Sequence, residues 1–168
     1  MAYPWSKPHE GDIVSCRFPY DNPSAPGPKA RPCLVSRVLL HMQTGQIWLE
    51  VIPGSGRDTD SQAFTRPPAH TEYEERADPA RQKGTHLHDD TRFDFAYLTK
   101  LPYDAAYFSN GPRASPVFGH ASNGLEAWMK GMKAAAVPKV PAPPVQVTVK
   151  KSVSRLKNEA QARDGSKG

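Results

Sequence analysis

Gly11-Asp12-Ile13-Val14-Ser15-Cys16-Arg17-Phe18-Pro19, then a loop, then Arg31-Pro32-Cys33-Leu34-Val35-Ser36-Arg37-Val38-Leu39-Leu40: the fold is decided by these two apolar runs. Residues 13–20 read as a short strand closed by Pro19, because β-branched and aromatic side chains cluster there without a helical period. Residues 21–30 hold Pro23, Pro26, Gly27 and Pro28 and can only be a loop. Residues 32–40 form a second strand. A turn at Gln43-Thr44-Gly45 leads to a third over 46–52, which Pro53-Gly54 is expected to stop. Three short strands joined by turns predict a meander that curls into a small barrel.

Outward from this core the order is looser. Residues 54–90 are polar, charged and broken at Pro67-Pro68 and Pro79, and they read as a long insertion that is functional or mobile, with at most a helical turn over 72–76. Residues 92–101 read as one strand, with Phe93, Phe95 and Tyr97 alternating with polar neighbours. Leu125, Trp128, Met129 and Met132 fall at i, i+3, i+4 and i+7, which predicts a helix over 123–136, capped by Ser122 or Asn123 and stopped by Pro138. Residues 1–137 therefore make one barrel domain, with 57–90 as a loop insertion. Residues 138–168 make a basic, proline-containing, disordered tail. The fold class is mainly β with a C-terminal helix.

The charge belongs to that tail. Of the 22 basic and 17 acidic residues, seven basic and two acidic ones lie from Pro138 onward, so the domain is neutral and the tail carries the whole net charge of +5. A basic isoelectric point is thus no evidence that the folded part binds nucleic acid. Cys16 and Cys33 lie in apolar runs with no CxxC spacing, which predicts two buried thiols rather than a disulfide framework. The opening residues have no apolar signal core, and no stretch approaches membrane-spanning length, so a cytoplasmic protein that engages no membrane is the expectation.

Gly11-Asp12-Ile13-Val14, Phe18-Pro19, the Gly/Pro-rich loop and Lys29-Ala30-Arg31-Pro32-Cys33-Leu34-Val35, in that order, closely resemble the opening of the MazF/PemK toxins. Val51-Ile52-Pro53-Gly54-Ser55 matches that family's apolar strand ending in a Pro-x-Thr-like turn, and Leu98-Thr99-Lys100-Leu101-Pro102 its strand before the last helix. The likeness covers residues 10–56 most fully, thins over 57–90 and does not reach the tail. It implies an SH3-like barrel, a homodimer, a cognate antitoxin as partner, and the toxin role in a type II toxin-antitoxin system. The activity implied is that of a hydrolase: metal-independent, cofactor-free endoribonuclease cleavage of single-stranded RNA.

Such cleavage needs a cation at the phosphate while the 2′-hydroxyl attacks. Arg31 matches the family's catalytic arginine; its guanidinium offers a fork of donors and stays charged. Ser55 stands where the family has threonine, and either hydroxyl can hydrogen-bond a phosphate oxygen. Its plainer reading is a turn serine between Gly54 and Gly56. Lys29, Arg57 and Arg17 are the candidate RNA-binding cations, each equally readable as solvated. His86, His88, Asp89 and Asp90 invite a metal, but such a loop cluster is more simply solvated, so no metal site is expected. Trp48 and Phe18 read as core rather than base-stacking residues. Two other functions fit the same residues: a non-catalytic binding module of this fold, favoured by the threonine-to-serine exchange, and a nucleic-acid adaptor working through its basic tail.

Overall fold

The computed structural model describes residues 5–20, 24–56, 67–77, 84–109 and 115–136, and the backbone of a two-residue strand at 148–149. Among these, eight strands form one curled antiparallel sheet, a half-barrel closed on one side by a single helix. The strands are β1 (Asp12–Cys16), β2 (Arg31–Leu40), β3 (Ile47–Gly56), β4 (Glu72–Glu75), β5 (Thr91–Asp94), β6 (Thr99–Pro102), β7 (Val117–His120) and β8 (Thr148–Val149). Their order is β4-β5-β3-β2-β1-β7, with β6 also on β3 and β8 also on β2.

The expected meander is present in β1, β2 and β3. Ile13 faces Leu34 and Val14 faces Cys33, while Leu34 faces Ile52 and Val35 faces Val51. Successive side chains point to opposite faces, and here both faces are buried, so the runs read as continuously apolar. Val14, Cys16, Cys33, Val35, Leu49 and Val51 fill the inside of the curl with Tyr103 and Phe108. Ile13, Leu34, Ile52 and Phe93 meet Leu125 and Met129 of the helix on the other side. The pairing of β2 with β3 shifts between Val35 and Arg37. That extra residue, Ser36, resets the alternation, so Val38 returns to the inner face used by Val35. The two thiols are buried and unpaired as expected, and the Cys33 side chain together with burial pushes the Cys16 thiol far up.

Three expectations need correction. β3 does not stop at Pro53-Gly54. It runs on to Gly56, because β5 takes up pairing at Gly54 where β6 leaves off at Val51. Residues 72–75 form a strand, not a helical turn: Glu72 and Glu74 lie two apart, on one face, and both reach Arg92 across the pair. Residues 92–101 are two strands, since a 3-10 turn over Phe95–Tyr97, capped by the Asp94 side chain on Ala96 N–H, separates β5 from β6.

Helix α1 (Asn123–Ala135) matches its apolar stripe: Leu125 and Met129 are buried, and Trp128 packs on Tyr73 and Phe95. Ser122 caps it, accepting from Leu125 N–H at 3.2 Å and donating to Glu75 at 2.8 Å. Near the other end, Lys133 pairs with Glu10 and donates to the Ser36 carbonyl at 2.6 Å. Ser122→Ala removes the cap and one partner of the buried Glu75 carboxylate together. It is expected to cost about 1–2 kcal/mol, read as a lower urea midpoint with an unchanged slope. Within the expected tail, β8 pairs Thr148 with Leu40 and Val149 with Leu39. Among the described residues no helix is long and apolar enough to cross a membrane.

Candidate functional site

At one end of the curl the strands place a row of polar side chains where the inner core stops. Directly opposed residues of antiparallel neighbours project from the same face. Cys16 opposes Arg31, Ser55 opposes Arg92, and Arg92 opposes Glu74. Arg31 shares its face of β2 with Cys33 and Val35, and Ser55 shares its face of β3 with Val51, so the row continues the inner core to its mouth. Cys33 opposes Pro53, and extending that register brings Arg31 alongside Ser55.

Tyr20, just after β1, lies near both Arg31 and Ser55. The Arg31 guanidinium carbon lies 5.2 Å from the centre of the Tyr20 ring. Burial raises the Tyr20 pKa and the Cys33 thiol adds to this; the nearby Ser55 hydroxyl and the Arg31 charge oppose it, and Asp94 adds to it. The phenol is therefore a neutral donor at physiological pH. Its ring packs on Phe18 at 4.8 Å and on Tyr97 at 5.9 Å, nearly edge-on to the latter.

Behind Ser55, Arg92 is buried between two carboxylates, 2.9 Å from Glu74 and 3.8 Å from Glu72. The third carboxylate of this corner is Asp94, opposite Glu72. The two arginines thus differ in state. Arg92 is neutralised by its pairs, whereas among the described residues the Arg31 guanidinium rests on a ring and not in a carboxylate pair. An incoming anion finds its cation at Arg31.

Ser55 is firmly held, contrary to the plain turn reading. It sits inside β3, and the close packing at Gly54 fixes its backbone: a Cβ there would lie 2.6 Å from the Thr91 methyl and 3.0 Å from the Pro32 carbonyl oxygen. Of the other sequence candidates, Arg17 and Lys29 are exposed on the loop between β1 and β2. Arg57 lies outside the described residues. His86 and His88 are exposed around a buried Leu87, and among the described residues no three potential ligands converge as a metal site would need. Phe18 is core, as expected. Sequence reasoning passed over Tyr20, Arg92, Asp94 and Tyr97. The signal for Arg92 was the pair Glu72 and Glu74 at strand spacing; Tyr20 had none beyond its place beside a proline.

In comparisons with known proteins, no family model matches the chain, and no curated protein matches it significantly.

Proposed function

We propose that the chain is a MazF/PemK-like endoribonuclease, the toxin of a toxin-antitoxin pair, that cleaves single-stranded RNA with Arg31 holding the scissile phosphate. The observation that carries this reading is the convergence of Arg31, Ser55 and Tyr20, a cation and two hydroxyls, at one end of the curled sheet. The sequence resemblance assigned Arg31 and Ser55 from stretches more than twenty residues apart, and support for pairing them comes from the β2–β3 register, which brings the two positions alongside each other.

In this reading the RNA phosphate sits on the Arg31 guanidinium, with the Ser55 hydroxyl donating to a second oxygen. The ribose 2′-oxygen attacks phosphorus and the bond to the 5′-oxygen breaks. The 2′-hydroxyl proton goes to a carboxylate, for which Asp94 is the candidate because Glu72 and Glu74 are engaged by Arg92. The neutral Tyr20 phenol is the donor available to the departing oxygen. The products are a 2′,3′-cyclic phosphate and a 5′-hydroxyl. Cytoplasmic location, homodimerisation through an SH3-like barrel and an antitoxin partner belong to the same proposal.

Incubation with a long unstructured RNA in EDTA tests it, with discrete cuts expected. Ser55→Ala is expected to slow cutting by roughly 10²-fold, on the scale of one lost phosphate donor, and Ser55→Thr to keep most activity. Equal rates for wild type and Ser55→Ala would remove Ser55 from the site. Absence of cutting by folded protein on varied RNAs would favour the non-catalytic binding module.

A further inference from the structure

Three large apolar side chains among the described residues are exposed: Tyr20, Met42 and Tyr97. Met42 lies in the β2–β3 turn, at the far end of β2 from Arg31. The other two are neighbours, and the nearer of them, Tyr20, lies against the candidate phosphate cation. Resting on the ribonuclease reading, we propose that Tyr97 is a stacking platform for one unstacked base of the RNA strand whose phosphate Arg31 holds.

The local chain builds the platform. Asp94 stops β5 by capping the 3-10 turn, and within that turn Phe95 goes inward against Trp128 while Tyr97 goes outward to Tyr20. The backbone beneath Tyr97 is fixed on both sides. Leu98 N–H donates to the Phe95 carbonyl, and the Thr99 hydroxyl donates to the Tyr97 carbonyl at 2.8 Å. Tyr97 thus presents, on a fixed backbone, a ring that is 53% exposed. Tyr20 is used otherwise, held between Phe18 and Arg31.

The order from the mouth outward is cation, tyrosine ring, open tyrosine ring. In a nucleotide the phosphate and the base are separated by one sugar, and the cation and the open ring here are separated by one side chain. An aromatic face next to a phosphate-binding arginine is how single strands are held, because every base has a π-face to offer once it is unstacked. Such a platform selects unpaired RNA without choosing a sequence. A duplex keeps its bases stacked on each other and cannot use it.

The test is binding of labelled 2′-deoxy hexamers of A, C and T, which lack the attacking hydroxyl, and of a base-free deoxyribose-phosphate hexamer, by the full chain. Tyr97→Ala is expected to weaken the base-bearing hexamers about 5- to 150-fold, with Tyr97→Trp restoring affinity. The base-free hexamer should bind wild type and Tyr97→Ala equally, while Arg31→Ala weakens every probe. If Tyr97→Ala leaves the base-bearing hexamers within twofold of wild type while Arg31→Ala weakens them, the platform is wrong and the ribonuclease reading stands. Equal weakening of base-bearing and base-free probes by Tyr97→Ala would also overturn it, since Tyr97 would then act on the protein. If folded wild type binds none of the probes, the platform falls, and the ribonuclease reading is decided separately by cleavage of RNA in EDTA.

Discussion

Arg31→Ala is expected to lower EDTA-resistant cleavage of single-stranded RNA by roughly 10²- to 10³-fold, with the thermal midpoint shifted by only a few degrees. Arg31 is half-buried at the start of β2, and its visible contact is the Tyr20 ring. Removing a cation–π contact at such a site costs about 0.5–1 kcal/mol, a small part of a domain's stability. On the ribonuclease reading the chemistry loses far more, because negative charge would build on the phosphate oxygens in the transition state, and no carboxylate among the described residues pairs with this cation. Arg31→Lys should recover only part of the rate, since a point charge replaces a planar fork. Single-turnover rates on an excess of enzyme, alongside thermal melts of the same preparations, separate the two effects. A rate within a few-fold of wild type would remove Arg31 from the reacting centre.

Arg92→Ala should produce the opposite pattern, with stability failing first. Arg92 is 4% exposed and lies between Glu74 and Glu72. Truncation leaves two carboxylates side by side on one face of β4, at the edge of the core, without the Arg92 cation they share. Breaking a buried pair from one side costs about 3–5 kcal/mol, much of it from the groups left behind. β4 is four residues long and, among the described strands, pairs with β5 alone; beyond that pairing it is held by Tyr73 on Trp128 and by the Ser122–Glu75 bond. The β4–β5 hairpin should therefore loosen and take Ser55's neighbour with it. Urea titration measures the loss, and hydrogen exchange should show it concentrated at residues 72–75 and 91–94. Glu72→Gln with Glu74→Gln in the Arg92→Ala background should return part of the stability, because the uncompensated charges are then gone. A stability loss below about 1 kcal/mol would mean the pairs are solvent-screened and not structural.

How much of this was legible in the chain depends on how local each cause is. β1, β2 and β3 could be read because each buries both faces, so Ile13-Val14 or Cys33-Leu34-Val35 announce themselves without any knowledge of partners. Helix α1 was equally plain, since its stripe and its Ser122 cap lie within fifteen residues. Two of the misread parts hang on distant pairing and the third on a local cap. Pro53-Gly54 looks like a stop, but Thr91-Arg92-Phe93 returns from some forty residues away and the strand runs through it. Glu72-Tyr73-Glu74-Glu75 carries no strand signal of its own and becomes one through Arg92. The alternation Phe93, Phe95, Tyr97 implied a single face, yet Asp94 caps a turn in its midst and sends Phe95 and Tyr97 to different neighbours.

The site follows the same rule. Arg31 and Ser55 were found through resemblance to a family, and the residues that give them a setting come from two other segments, Tyr20 after β1 and Arg92 and Asp94 from β5. Ser55 lies near enough to Tyr20 for its hydroxyl to oppose the rise of the phenol's pKa. The neutrality of residues 1–137 also has a structural counterpart. The cation-bearing corner is local, and Glu72, Glu74 and Asp94 crowd its rear, so the domain need not be basic to hold one phosphate.

The central claim is attack by a ribose 2′-oxygen on a phosphate held at Arg31, and the ends of the RNA products report on it directly. Wild-type protein should be incubated with a long single-stranded RNA in EDTA and the new termini analysed by mass. The account predicts discrete fragments ending in 2′,3′-cyclic phosphate or its ring-opened monophosphate, each paired with a 5′-hydroxyl. Intact RNA after prolonged incubation with folded protein, or fragments bearing a 5′-phosphate and a free 3′-hydroxyl, would contradict it.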